Sequence, residues 1–492
     1  MVEREPSKLL TGVRFPPPAL PALALQSLLV VLMVLTAAGM GRRPVPSPPP
    51  MAPLSSPTAD DRLLIVVPHE DDEAIAMGGI IQAALRAGAS LRIVYLTYGD
   101  HNEWSFLVYK KHLLLSPGFN RRMGQERRRE AIDAMQSLGV DQKQLTFLGY
   151  PDAETLKIWR EHWGAAPPLR SLLTNAAAVP YANADALPSP HKGEAILEDL
   201  KRLLHETRPT KIFVTHPADS NPDHQSAYLF VRVALLDLAG VIPPPIVYAA
   251  PIHHGRWPSP KGFFPDEPLM PPVRLAEAPI QWVTYHLPPE DVLRKDAAIQ
   301  RYKSQMAYSG SWLRSFARPN ELFGDYPLVD LRAGQRTGDP WAETFLPTPE
   351  TTTYEELTVG ASAVITYRAA EDGLELRIRF RDRLDESFGI TVYLFGYRTD
   401  VPFAQMPKLQ VRLHGGRCTL FDQQRTIDFR GVRWHHEGRE LVMHVPLRLL
   451  QEPEVLFVQA SAHSRDVAVR QTAWRLLAIR NPTPTVAPQT AP

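Results

Sequence analysis

From residue 62 onward, apolar and polar positions fall into a repeating order. Leu63-Leu64-Ile65-Val66-Val67 is an unbroken apolar run, followed by a helical pattern over 73–87 that Gly88 closes. Similar runs recur at 91–97, 145–148, 211–215 and 246–249, with helical patterns at 121–138, 194–207 and 224–239. Strands without alternation are apolar on both faces, as in a parallel sheet covered by helices on each side. The order predicts an α/β, Rossmann-like, doubly wound and mostly parallel sheet. Ligands of such sheets bind beyond the carboxyl ends of the strands. The stretch 155–190 is rich in Ala and Pro and weakly periodic, so a loop over the site or a surface excursion is expected there. A helix is expected over 290–306, and Asn320-Glu321-Leu322-Phe323 closes the unit.

After about residue 345 the period changes. Leu374-Glu375-Leu376-Arg377-Ile378-Arg379-Phe380 alternates strictly, and further strand-like runs follow at 390–395, 441–445 and 455–460. Short strands between turn residues predict an all-β, sandwich-like domain over 345–480. The division expected is a leader and linker at 1–60, an α/β domain at 61–335, the β domain, and a disordered Pro/Thr tail at 481–492.

Composition alters this picture in three places. The chain carries 49 prolines, many of them in a Pro/Ser linker at 41–60 that follows a nearly uninterrupted apolar stretch at 19–40. That stretch is long enough for a signal peptide or a single membrane anchor. Either way the remainder is expected to be exported: secreted, periplasmic or membrane-anchored. The net charge of +1 gives no case for a nucleic-acid partner. The lone cysteine, Cys418, rules out an intramolecular disulfide and sits far from every reactive cluster, so it reads as a strand or turn thiol.

Two clusters carry chemistry. Pro68-His69-Glu70-Asp71-Asp72-Glu73 follows the first strand, and Thr215-His216-Pro217-Ala218-Asp219-Ser220-Asn221-Pro222-Asp223-His224 follows the fourth. Four carboxylates and a histidine beside a buried strand are costly without a cation. The spacing lets His69 and Asp72 turn toward one point while Asp71 points elsewhere. Both clusters lie on the same edge of a parallel sheet and can converge. Two histidines and a carboxylate with one open position form the ligand set of a catalytic zinc ion.

The pair of motifs resembles the signature of the PIG-L/LmbE-like family of zinc-dependent N-acetylglucosaminyl deacetylases, over about residues 60–330. The resemblance implies zinc ligands His69, Asp72 and His224, with Asp71 as general base. It implies a second catalytic cluster around Asp223, which orients its neighbours, and Asn221. Two positions depart from the family pattern. Glu70 replaces a proline that only shapes the turn. Asn221 replaces a histidine that helps the oxyanion or the leaving amine; Asn donates a hydrogen bond but no proton. Either Asp71 then serves as both base and acid, or His216, His253 or His254 supplies the proton. His253 and His254 read either as pocket-lining or as core or surface residues. Arg127 reads as a contact to a substrate hydroxyl or acid, or as a salt bridge. Asp152 reads as a ligand of a sugar hydroxyl, or as a turn residue.

The function so implied is hydrolysis of an N-acetyl group on an amino sugar of an exported or cell-surface glycan or glycoconjugate. The competing readings are a zinc amidase acting on a small thiol or other conjugate, and a metal-free, degenerate glycan-binding protein. Trp434 and Trp474 are the aromatics that would support carbohydrate binding by the β domain, or else belong to its core.

Overall fold

The computed structural model describes residues 50–101, residues 116–331 apart from 187 and 277, and residues 343–479 with gaps at 345, 348–362, 371–372, 381–387, 428–430 and 465–466. The apolar stretch at 19–40, residues 41–49 of the linker after it and the tail at 481–492 lie outside the described residues.

Five parallel strands form the central sheet: β1 (Arg62–Val67), β2 (Ser90–Thr97), β3 (Leu145–Tyr150), β4 (Lys211–Thr215) and β5 (Ile246–Ala250). They lie in the order 3-2-1-4-5, every neighbour parallel. Leu63 to Val67 are all buried, which is why the strand shows no alternation. Leu64 and Val66 face one hydrophobic cluster, Leu63, Ile65 and Val67 the other. The strand order reverses between β1 and β4, so the crevice of the doubly wound fold opens above these two strands.

The helices that cover the sheet are α1 (Asp72–Ala87), α2 (Pro117–Ser137), α3 (Thr155–Glu161), α4 (Gly193–Thr207) and α5 (Pro222–Asp237). Gly88 ends α1 in the left-handed conformation, at φ 69°. Asn221 caps α5, its side chain accepting from the Asp223 N–H, and Pro222 opens the helix. Helix α3 corrects the expectation of a loop over 155–190. With seven residues it is too short to show a period, and it forms because Ile158 and Trp159 are fully buried. The helix expected over 290–306 is two, α6 (Pro289–Ile299) and α7 (Lys303–Arg314). Beyond them Asn320–Asp325 (β7) pairs antiparallel with Gln281–His286 (β6).

The C-terminal part is an antiparallel sandwich, as the alternation predicts. One sheet holds β8 (Ala363–Ala370), β9 (Gly373–Phe380), β13 (Arg433–Glu437) and β14 (Glu440–Pro446), in the order 8-9-14-13. The other holds β10 (Phe388–Tyr397), β11 (Lys408–His414), β12 (Arg417–Asp422) and β15 (Val455–Ser464), in the order 15-10-11-12, with β16 (Arg475–Ala478) also paired to β15. Cys418 sits on β12 and is exposed. The outer face of the second sheet is not exposed throughout. Phe395, Phe457 and Trp474 close around Trp159 of α3, with ring centroids 5.7, 5.6 and 6.1 Å away. Trp474 is therefore fully buried, and Trp434 packs against the sandwich core.

Candidate metal centre and cleft

The two motif loops leave the carboxyl ends of adjacent strands, β1 and β4, and meet above the switch point. His69 and Asp72 come from the first loop and the start of α1, His224 from the first turn of α5. Their facing atoms form a triangle. His69 Nδ1 lies 3.4 Å from Asp72 Oδ2, His224 Nε2 lies 3.4 Å from the same oxygen, and the two ring nitrogens are 3.3 Å apart. A tetrahedral ion with bonds of about 2.1 Å separates its ligands by about 3.4 Å. The residues thus fit a zinc ion on one face and leave a fourth position open.

The groups behind the ring nitrogens set the tautomers. His69 Nε2 lies 3.0 Å from Asp152 Oδ1 and 3.2 Å from Asp223 Oδ2, so the proton of the neutral ring sits there and leaves Nδ1 its lone pair. His224 Nδ1 lies 3.2 Å from Asp219 Oδ2, which leaves Nε2 as the donor atom. Asp219 also accepts the N–H groups of Asn221 (2.9 Å), Ile252 (3.1 Å) and His253 (2.9 Å). Asp223 accepts from Ala153 N, Thr155 N and the Thr155 hydroxyl. Asp152 also accepts from His101 N at 2.8 Å.

The expected sites are thus partly redistributed. Asp223, expected to orient its neighbours, lies 3.2 Å from His69 Nε2. Asp152, read as a sugar ligand or a turn residue, supports the same ring. The carboxylate behind His224 is Asp219, which the sequence reading passed over; its signal was its position just past the His216 strand end, four residues before Asp223.

Asp71 stands at the N-cap of α1 with φ 123°, a conformation that costs a non-glycine residue about 1–3 kcal/mol. Its side chain does not cap the helix. Instead the backbone N–H is held by Glu73 at 3.1 Å, Tyr302 donates to the other Glu73 oxygen, and the Asp71 carboxylate lines the cleft. Burial lifts the Asp71 carboxyl to about 8; Arg127 opposes the shift and Asp72 adds to it. Burial likewise lifts Glu73 and Asp100 to about 7. For His69 burial works downward, but Asp152, Asp223 and Asp72 outweigh it and hold the imidazole well above its usual value. Glu70, Asp71, Asp72, Glu73, Asp100, Asp152, Asp219 and Asp223 are all buried here. Such a concentration of carboxyl groups is what a divalent cation neutralises.

Arg127 holds the motif loop. Its Nη1 donates to Gly99 O at 2.9 Å and its Nη2 to Glu70 O at 2.7 Å, while Nη2 lies 3.7 Å from Asp71. Its place is behind Asp71, fixing the motif loop, with its edge on the cleft. Glu70, expected merely to shape the turn, is fully buried 3.8 Å from Arg127 Nε.

Of the three candidate proton donors, His253 alone reaches the cleft. Its ring lies 4.7 Å from that of His224 and stacks on Trp312 at 4.9 Å. Burial lowers it to about 4, so it is neutral at pH 7. His254 is buried against Trp257 and lines a separate small cavity with Arg274. His216 stacks on Trp282, fully buried and lowered to about 3 by burial. Asn221 has Oδ1 committed to the Asp223 N–H but borders the cleft. The cleft measures about 960 Å³ and its outer wall carries Lys261, Tyr308 and Trp312.

Parts of the chain are similar to known proteins. Residues 64–235 match the PIG-L family, described as GlcNAc-PI de-N-acetylase. The chain is similar to the 1D-myo-inositol 2-acetamido-2-deoxy-alpha-D-glucopyranoside deacetylase of Corynebacterium urealyticum, 28% identical over 180 residues, or 36% of this chain and 48% of that protein. The protein of the same name from Kribbella flavida is 27% identical over 301 residues, or 55% of this chain and 92% of that one. The chain spans about half the length of the Corynebacterium and Mycobacterium relatives it matches. Among solved structures it is similar to the N,N'-diacetylchitobiose deacetylase of Pyrococcus horikoshii, 19% identical over 54% of this chain and 83% of that one, with a TM-score of 0.32. The conserved protein TT1542 of Thermus thermophilus is 20% identical over 55% and 95%, with a TM-score of 0.33.

Proposed function

We propose that the PIG-L family domain at residues 64–235, with the segments that complete its cleft, is a zinc-dependent hydrolase that removes the N-acetyl group from a GlcNAc-like amino sugar. The observation that carries this reading is the His69–Asp72–His224 triangle, with edges of 3.3–3.4 Å, beside a buried Asp71 at the floor of an open cleft. The relatives named above are deacetylases of a 2-acetamido-2-deoxy-glucopyranoside, the same class of bond.

His69 Nδ1, Asp72 Oδ2 and His224 Nε2 would hold the ion. Bound zinc would supply Lewis acidity, lowering the pKa of water and polarising the acetyl carbonyl. With the cation bound beside it, Asp71 would be ionised and would take the proton of the attacking water, held in place by its N-cap backbone and by Arg127. Its carboxyl returns that proton to the nitrogen as the C–N bond breaks, giving acetate and a free amine. Asn221 Nδ2 and the neutral His253 ring border the cleft and are the donors for the carbonyl oxygen as charge develops on it. Asp219, Asp223 and Asp152 keep the two imidazoles in the tautomers that ligation requires.

The cleft is large enough for more than one sugar ring, and the Tyr308 and Trp312 rings suit the apolar face of a pyranose. This favours an oligomeric or conjugated glycan as substrate. The apolar stretch at 19–40 supports an exported setting for it, with secretion or membrane anchoring. The test is acetate release from N-acetylglucosamine oligomers by a chain starting near Ala59. Release abolished by a chelator and restored by zinc supports the reading; no release by zinc-loaded protein removes those glycans from it.

A further inference from the structure

Gln459 is a buried amide placed where the sandwich meets the catalytic sheet. It lies on β15 with no exposed surface, close to the aromatic cluster around Trp159. A polar side chain there is costly unless its hydrogen bonds are made, and they are. Its Nε2 donates to Gln225 Oε1 and to Thr472 O, both at 3.1 Å, and its Oε1 accepts from Arg160 Nη2 at 2.8 Å. Each of the two side-chain partners leads to the metal centre. Gln225 follows His224 on α5, and its Nε2 donates to the Asp219 carbonyl at 2.8 Å. Asp219 is the carboxylate behind His224. Arg160 belongs to α3, whose first residue, Thr155, bonds Asp223 through its N–H and hydroxyl. Asp223 is a carboxylate behind His69.

We propose that Gln459 is a positioning residue of the metal site: through Gln225 it fixes Asp219 and His224, and through Arg160 it fixes the helix that carries Thr155 to Asp223. The β-sandwich is then a working part of the zinc site. The inference rests on the zinc reading above and assigns a role to a domain that lies outside the matched family region.

The test is zinc affinity of the full chain, measured by competition with a chromophoric chelator below the melting temperature of each variant. Gln459→Leu should weaken zinc binding about tenfold, the lower end of what loss of an orienting partner costs. Val411→Ala, a fully buried change in the sandwich core away from this chain of bonds, should lower the melting temperature and leave zinc affinity unchanged. Gln225→Met cuts the same link from the catalytic side, serves if Gln459→Leu does not fold, and should be non-additive with it. Affinities of Gln459→Leu and Gln225→Met within about twofold of the unmodified chain would overturn this inference alone. An unmodified, folded chain that binds no zinc would overturn both this inference and the proposed function.

Discussion

Replacing Asp219 tests the proposed metal centre from behind. Its Oδ1 accepts one backbone N–H and its Oδ2 accepts two, and Oδ2 also faces His224 Nδ1. The residue has no exposed surface. Asp219→Ala strands three N–H groups, one buried and two partly buried, at about 1–3 kcal/mol each, so the fold should lose about 3–6 kcal/mol once some are rewetted. The His224 ring loses the partner that fixes its tautomer, and zinc affinity should fall about 10–100-fold. Asp219→Asn separates the two effects. Its single oxygen can keep the Ile252 and His253 N–H groups, while its amide group then faces the Asn221 N–H. Stability should fall by only about 1–3 kcal/mol, the cost of one stranded donor. Zinc affinity should drop about tenfold, because an amide orients the ring without its charge. Denaturant unfolding gives the first quantity and chelator competition the second. An Asp219→Ala chain that unfolds earlier yet binds zinc as tightly as the unmodified chain would refute the orienting role and leave only a loop anchor.

Three other outcomes follow from buried groups. Lys295 Nζ lies 2.6 Å from Glu321 Oε1, both side chains about 1% exposed, and Glu321 also receives the N–H groups of Gly79 and Ile80. Lys295→Ala leaves that carboxylate buried without its cation and should cost about 3–5 kcal/mol in denaturant unfolding. Lys408 donates to Phe403 O and Met406 O from a fully buried site, and burial lowers it to about 7 from the usual 10.5. Between those values the unfolded chain holds a proton that the folded chain does not, so stability from this group rises with pH across that window and its penalty is complete below it. Relative to Lys408→Met, the unmodified chain should gain about 1–3 kcal/mol from pH 7 to pH 9; a constant difference would refute this. Trp159→Ala removes the ring shared by α3 and the sandwich, and should cost about 3–5 kcal/mol with near-ultraviolet dichroism reporting the loss of the cluster.

Much of the central sheet was legible because a strand buried on both faces must be apolar throughout, as Leu63 to Val67 are. The ligand triangle was legible because two charged motifs follow two strands, and a parallel sheet puts such strand ends on one edge. What lay behind the triangle was not. His69 meets Asp152 and Asp223 across 83 and 154 residues of chain, and no local pattern encodes such partners. Asp219 and Asp223 are four residues apart with the same chemistry, and only the fold shows which one backs His224. Helix α3 escaped notice because its seven residues draw their stability from burial against Phe395, Phe457 and Trp474. Aromatic residues on the sandwich could not be sorted into binding or packing until their partner helix was placed.

The most direct test of the account is the zinc content of the purified, folded chain, beside that of His224→Ala. One zinc per unmodified chain, lost from the variant while its fold persists, is the result predicted by the triangle of His69, Asp72 and His224. A folded chain that takes up no zinc, or a variant that keeps its zinc, would contradict the metal centre on which the proposed deacetylation depends.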